Sequence, residues 1–148
     1  MDLYCQSGTN DSENEADLEG IQHLISLCDL HIFGWSKPSL THQLQNLTNL
    51  RGLWIVQFDG LEDLPEWLGN FSSLEVLCIS KCKNLRRLPF KEAFPKLTSL
   101  NRLYVFRCPL LDKGYADKEG EEFQKISHIN TMQCWLGWKT RLEMVAPT

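Results

Sequence analysis

The residues best suited to chemistry in this sequence are Cys78, Cys82 and His31, because thiolates and imidazoles ligate metals and act as nucleophiles or bases. Cys78 and Cys82 are four residues apart, and none of the six cysteines forms a Cys-x-x-Cys pair. An internal repeat predicts a β-sheet in which Cys78 faces outward and Cys82 faces the core. In that sheet His31 and Cys78 are on strands separated by two strand spacings, about 10 Å. We therefore expect reduced structural thiols and predict no enzymatic activity, no metal site and no cofactor.

Three asparagines, Asn10, Asn46 and Asn70, each begin the Asn-x-Ser/Thr pattern of N-glycosylation. This pattern is short and common, and the N-terminus lacks the basic start and apolar stretch of a secretory signal. No apolar run reaches the roughly 18 residues needed to cross a bilayer. We interpret the asparagines as ends of turns, and we expect a cytoplasmic location and no membrane partner.

The net charge argues against binding to nucleic acid. The sequence contains 15 basic and 19 acidic residues, a net charge of −4, whereas nucleic-acid-binding domains are usually basic. Charge is uneven, since residues 1–36 contain seven acidic residues and no Lys or Arg, and residues 81–107 contain eight basic residues and one acidic residue. For the run Lys81-x-Lys83-x-x-Arg86-Arg87, a solvated loop is favoured over a phosphate site. An acidic protein ligand stays open as an alternative, because Lys81 and Arg107 flank the predicted sheet.

The elements that position these residues follow from an internal repeat. Four segments have the pattern Leu-x-x-Leu-x-Leu, with Ile or Val at the last position, and they start at Leu27, Leu50, Leu74 and Leu100. Their starts are 23, 24 and 26 residues apart, within the roughly 20- to 29-residue period of leucine-rich repeats. The ninth position of each unit is interpreted as a buried anchor and holds Trp35, Phe58, Cys82 and Cys108 in turn.

The repeat predicts an α/β solenoid with a short parallel β-sheet on the concave face and loops or short helical turns on the convex face. In each unit the last two apolar positions face the core, and the side chains between and beside them face outward. Aromatic and Arg residues on such an outward face are typical of protein-binding surfaces. The candidate partner-binding residues are Asp29, His31, Phe33, Trp54, Val56, Cys78, Ser80, Lys81, Arg102, Tyr104, Phe106 and Arg107. The alternative interpretations are that the N-terminal arm or the C-terminal tail folds over them, or that they are tolerated as single exposed residues.

The chain divides into four predicted segments. Residues 1–16 are an acidic arm whose composition predicts disorder, and residues 17–112 are the leucine-rich repeats. Residues 113–130 are a C-terminal cap in which Phe123, Ile126 and Ile129 share one side of a helical turn, and residues 131–148 are an unassigned tail. Because the N-terminal side has no equivalent cap, we predict that the chain is marginally stable and either self-associates edge to edge there or needs upstream repeats.

Residues 47–82 resemble the leucine-rich repeats of plant nucleotide-binding immune receptors of the coiled-coil class. The resemblance is carried by Leu-Thr-Asn-Leu-Arg-Gly-Leu-Trp-Ile at 47–55 and Leu-Glu-Asp-Leu-Pro-Glu-Trp-Leu at 61–68. Residues 107–111 and 118–129 are similar to the end of that family's repeat domain, with Phe123 where a Trp is common and Asn130 where a Pro is usual. The resemblance extends over residues 18–129.

This resemblance implies a non-enzymatic protein-recognition module of innate immunity and disease resistance. Its expected ligand is a pathogen effector, or the nucleotide-binding domain of its own receptor, bound at the concave face. The family's nucleotide switch requires a Gly-x-x-x-x-Gly-Lys-Ser/Thr loop, which this sequence lacks. Two alternatives stay open: an extracellular leucine-rich-repeat receptor fragment, and a stand-alone regulatory scaffold. The ninth-position residues favour the intracellular type, since Asn is expected there in the extracellular one.

Overall fold

The structure, a computed structural model of the chain, describes residues 2–6, 20–35, 40, 42–88, 93–114, 131–136 and 140–145. Within these ranges, side chains are described for residues 20–35, 40, 42–88 and 93–111. The predicted cap residues Phe123, Ile126 and Ile129 lie outside the described residues, as do Asn10 and residues 7–16 of the predicted arm.

The described strands form one sheet in which every strand lies beside its neighbour in sequence. The strands are β1 (Asp2–Gln6), β2 (Asp29–Phe33), β3 (Gly52–Val56), β4 (Val76–Ser80), β5 (Arg102–Phe106), β6 (Thr131–Leu136) and β7 (Thr140–Val145). Strands β1 to β6 pair in parallel, and β7 pairs antiparallel with β6. Short 3₁₀ segments lie at Ile21–His23, His42–Asn46, Glu66–Asn70 and Phe94–Lys96, and a single α-helix, α1, spans Pro109–Gly114 in the described part of the chain. This is the solenoid that the repeat predicted.

Strands β2 to β5 form where the repeated apolar pairs lie, and the pairs are in register across the sheet. Leu30, Leu53, Leu77 and Leu103 form one row, and Ile32, Ile55, Ile79 and Val105 form the second. All eight are at most 2% exposed. Because side chains alternate along a strand, this register places both rows against the core and leaves the intervening residues on the other face of the sheet.

The core lies between the sheet and the 3₁₀ segments. The 3₁₀ segments and the turns that follow them supply the opposite side of the core, and Leu44, Leu68, Phe71, Phe94 and Leu97 are at most 1% exposed there. These turns close through local hydrogen bonds, such as that from Phe71 N–H to the Leu68 carbonyl at 3.1 Å. The ninth-position residues are buried as predicted, with Trp35 and Phe58 in contact at a ring-centroid distance of 6.1 Å.

The structure corrects the prediction of a wholly disordered arm over residues 1–16. Strand β1 lies inside that arm and pairs in parallel with β2, so that Leu3 is the register partner of Leu30 and Cys5 that of Ile32. The composition of residues 1–16 did not indicate this strand, because the polar and acidic residues 7–15 dominate it and the Leu-x-Cys pair at 3 and 5 is too short to reveal the repeat. β1 also covers the edge of β2 and is itself the first strand of the sheet, so self-association at the N-terminal end stays a prediction, now about the edge of β1.

The unassigned tail contains two strands. β6 extends the parallel sheet beyond β5, with Met132 opposite Leu103 and Cys134 opposite Val105. β7 then reverses direction and pairs with β6. The parallel array therefore ends on an antiparallel strand.

Candidate functional site

The candidate site is the sheet face turned away from the core, which we call the open face. It carries the outward side chains of β2 to β5: Asp29, His31, Phe33, Gly52, Trp54, Val56, Val76, Cys78, Ser80, Arg102, Tyr104 and Phe106. All of these except Gly52 are half-buried or exposed, whereas the residues that alternate with them are buried. The candidate residues on β2 to β5 thus lie on this face, Lys81 and Arg107 follow β4 and β5, and the role of all of them in binding stays a prediction.

The parallel register arranges these side chains in three rows across the strands. His31, Trp54, Cys78 and Tyr104 form the middle row, and Phe33, Val56, Ser80 and Phe106 form the row nearer the carboxyl ends of the strands. The third row has Asp29 on β2 and Arg102 on β5, so opposite charges stand three strands apart, about 14 Å. The open face of β2 to β5 thus has an acidic residue at its β2 end and a basic residue at its β5 end.

Two aromatic clusters lie on the open face. In the first, the rings of His31 and Trp54 are stacked, with centroids 4.2 Å apart and planes inclined by 5°, and Phe33 is parallel to His31 at 6.4 Å. In the second, Tyr104 and Phe106 are stacked at 6.0 Å. Strand β4 lies between the clusters and carries only small or medium side chains outward. A ligand bound across the open face would contact one aromatic cluster on each side of β4, whose outward side chains are shorter.

Gly52 positions the first cluster and is not among the residues predicted to bind a partner. The place where a Cβ atom would stand on Gly52 is occupied by the indole of Trp54 and the carboxylate of Asp29. Any side chain at position 52 would displace both of them. The signal in the sequence was a glycine at an outward strand position, where it has no side chain to pack and marks a close approach.

Cys78 lies in the middle row between Trp54 and Tyr104. Burial raises the pKa of its thiol to about 11, with a smaller contribution from the nearby Cys108. The thiol is therefore protonated at neutral pH and is a poor nucleophile. Among the described residues, no group of three His, Cys, Asp or Glu side chains is placed to hold a metal ion.

The backbone turns sharply at the carboxyl end of each strand. Gly34, Gln57, Lys81 and Arg107 follow β2 to β5 and have φ values of 69°, 56°, 56° and 51°. This left-handed turn continues the sheet ladder, because the N–H groups of Gly34, Gln57 and Lys81 donate to carbonyls of the next strand at 2.9–3.0 Å. The turn is thus part of the repeat, and it projects Lys81 and Arg107 at the same edge of the sheet.

A cleft of about 390 Å³ lies at this edge, and we call it the strand-end cleft. It is lined by Gln57, Asp59, Lys81, Lys83, Arg107 and Pro109. Lys81 and Arg107 were predicted as partner-binding residues, whereas Gln57, Asp59, Lys83 and Pro109 were not. They were missed because they belong to three different repeats and come together only when the repeats stack.

The basic run beginning at Lys81 is partly explained by contacts between repeats. Lys83 Nζ lies 3.3 Å from Asp59 Oδ2, and Arg87 Nε lies 3.1 Å from Asp63 Oδ1. Each pair joins positions 24 residues apart and is largely exposed, so it contributes little stability, about 0–1 kcal/mol. Lys81 takes part in neither pair.

Comparison with known proteins gives a family and a fold. The model of the family described as R13L1/DRL21 LRRs matches residues 6–108. None of the curated proteins compared with the chain matches it significantly. A solved leucine-rich repeat protein of Leptospira interrogans superposes with a TM-score of 0.53 at 18% identity. The match covers 77% of this chain and 34% of that one, so the chain spans about a third of the length of that structure.

The structural match supports the fold alone, and it confirms the predicted leucine-rich repeat architecture. None of the helical segments that the structure describes has the length and apolar character required to span a lipid bilayer.

Proposed function

Because this chain belongs to the R13L1/DRL21 family of leucine-rich repeats, we propose that it is a protein-recognition module of a plant innate immune receptor or of a truncated relative. The family is a plant resistance-protein type of repeat, so the predicted resemblance is confirmed. Leucine-rich repeat proteins are typically non-enzymatic interaction modules, and we propose the same for this one, acting in the cytoplasm.

The observation that carries the proposal is the pair of aromatic clusters on the open face. A partly exposed aromatic ring offers a large contact area to a partner. Because stacking already restricts the motion of the ring, the side chain loses little conformational entropy when the partner binds. Aromatic residues dominate the energetic centres of protein interfaces. The open-face side chains are not part of the core. Their residue types can therefore change with the ligand, because the buried rows stabilise the fold.

The proposed ligand is a pathogen effector protein or the nucleotide-binding domain of the receptor to which the module belongs. Both are protein surfaces, and both suit an open face with an acidic and a basic end, since such a charge arrangement orients a partner. Recognition of an effector would contribute to disease resistance, and contact with the receptor's own domain would contribute to its regulation.

The test is a binding screen in which wild-type protein and an open-face variant are exposed to the same panel of effectors and receptor nucleotide-binding domains. The variant Trp54→Ala/Tyr104→Ala removes one ring from each cluster. The control Gln45→Ala/Lys96→Ala changes exposed residues on the 3₁₀ side. The proposal requires a partner that binds wild type and control alike and loses at least about tenfold in affinity with the open-face variant. A partner that binds all three proteins equally would place recognition elsewhere and contradict the proposal.

A further inference from the structure

The strand-end cleft differs from the open face in its charge. Its lining has three cations, Lys81, Lys83 and Arg107, and one carboxylate, Asp59. The Lys83 ammonium is within 3.3 Å of that carboxylate. In the part of the chain that the structure describes, neither Lys81 nor Arg107 has a carboxylate partner. The cleft therefore has a local excess of two positive charges in a chain whose net charge is −4.

Lys81 and Arg107 are both unfavourable for the fold at their positions. Ser80 and Phe106 are register partners, so the two cations that follow them stand side by side at adjacent strand ends, where like charges repel. Both also adopt a positive φ, which costs energy for any residue except Gly. The equivalent position after β2 is Gly34, at a φ of 69°. A glycine thus forms the same turn without a charged side chain and with less backbone strain.

We propose that the strand-end cleft binds carboxylate side chains of an acidic segment in the protein partner, with Lys81 and Arg107 as the cations that hold them. An anion between these two residues removes their repulsion. The inference rests on the protein-recognition function proposed above and specifies the chemistry of the partner at one edge of the open face.

The position of the cleft favours a peptide over a free anion. Arg107 directly follows Phe106, whose ring stacks on Tyr104 in the second aromatic cluster. A segment that packs on this cluster therefore reaches the cleft within one residue.

The backbone favours carboxylates over phosphate. Phosphate sites in loops present several backbone N–H groups to the ligand. Here the N–H groups of Gln57 and Lys81 already donate to the carbonyls of Ser80 and Phe106, at 3.0 and 2.9 Å. Long, exposed cationic side chains are left as the recognition groups, and these suit the carboxylates at the rim of a protein interface.

The probe for this proposal is a fluorescein-labelled octaglutamate peptide, with binding followed by fluorescence anisotropy. The variant Lys81→Gly/Arg107→Gly removes both charges and keeps the turn, since Gly adopts a positive φ without cost. The matched control Arg86→Ala/Lys96→Ala removes two exposed cations outside the cleft. We expect the cleft variant to bind at least about tenfold more weakly than wild type, and the control to stay within about twofold. Wild-type binding should weaken as NaCl rises from about 50 to about 200 mM.

Three results would overturn the proposal: no binding of octaglutamate to wild type, an equal loss in the control, or displacement of the peptide by inorganic phosphate as readily as by unlabelled octaglutamate. A melting temperature of the cleft variant at or above that of wild type shows that the fold is intact. The open face is tested with protein partners and the variant Trp54→Ala/Tyr104→Ala, whereas the cleft is tested with octaglutamate and the variant Lys81→Gly/Arg107→Gly. Failure of the cleft proposal is thereby distinguished from failure of the open face as a recognition surface.

Discussion

At the scale of single residues, Gly52 determines how the aromatic residues of the first cluster are arranged. The absence of a side chain at Gly52 lets the indole of Trp54 lie over the backbone of β3, where it also stacks on His31 of the neighbouring strand. Trp54 is thus held between two strands before any partner arrives. A preorganised aromatic residue binds with a smaller entropic cost than a mobile one.

Replacing Gly52 with Ala should release this arrangement. The added Cβ occupies the place of the indole, so Trp54 must rotate away from His31. We expect a stability loss of at most about 1 kcal/mol, because the displaced groups are the ends of side chains and not backbone. In NMR spectra, the His31 Hε1 resonance should lose the upfield shift caused by the indole ring. Val76→Ala, in the same row on the next strand, should leave that resonance in place, and an unchanged His31 signal in Gly52→Ala would contradict the stack.

The thiol of Cys78 should report its partial burial through the pH dependence of its alkylation. Burial raises its pKa from the ordinary 9.0 to about 11, and only the thiolate reacts. In the folded protein the rate of iodoacetamide labelling at Cys78, measured by mass spectrometry, should reach half of its maximum near pH 11. The denatured chain is the control, and its labelling rate should be half-maximal near pH 9. Because the unfolded chain loses this proton first, the folded state loses stability as pH rises from 9 to 11. A half-maximal rate near pH 9 in the folded protein would show that the thiol is not shielded.

At the scale of secondary structure, each strand separates scaffold from function by alternation. In β4 the buried residues Leu77 and Ile79 contact the core, and the residues between and beside them lie on the open face. Neighbouring repeats pack against each other through the buried rows. Loss of a buried side chain in one strand therefore also destabilises the two repeats beside it. An outward residue has no such shared role.

Adjacent substitutions in β4 should therefore differ strongly in their effect on stability. Leu77→Ala creates a cavity in a fully buried row and should cost about 2–5 kcal/mol. Cys78→Ala removes one partly exposed sulfur atom and should cost less than about 1 kcal/mol. Urea denaturation of both variants measures the difference. Equal losses would mean that the strand register is wrong.

At the scale of the whole molecule, the chain is a one-dimensional stack whose ends need protection. β1 pairs with β2 at one end, and the antiparallel β6–β7 pair follows β5 at the other. Unpaired strand edges template association with other chains. The terminal strands thus shield the edges of the central repeats, which carry both the open face and the strand-end cleft.

Deleting residues 1–6 should destabilise the stack locally. Without β1, the edge of β2 loses its parallel ladder, and amides of residues 29–33 should exchange with solvent about tenfold faster or more. In a nearest-neighbour stack the effect declines with distance, so amides of residues 102–106 serve as the internal control. Hydrogen exchange with mass spectrometry measures both segments in one experiment. Unchanged exchange in residues 29–33 would show that β1 contributes nothing to the sheet.

Strands β2 to β5, their parallel order and the side chains on each face were predictable from the sequence alone. Apolar pairs repeat at 23 to 26 residues, and a shift by one residue would move Leu30, Leu53, Leu77 and Leu103 into solvent. Only one register buries all of them, so burial alone selects it. The predicted open face follows from the same alternation.

The terminal strands, the stacking of Trp54 on His31 and the strand-end cleft emerge only from the three-dimensional fold. β1 and β6 lack the full repeated pattern, and pairing with β2 and β5 places them in the sheet. The cleft joins residues of three repeats, and their approach depends on the left-handed turn after each strand. Gln57, Lys81 and Arg107 adopt that turn although their residue types disfavour it. Ladders and turns of this kind are held by neighbours distant in sequence, so local composition does not encode them.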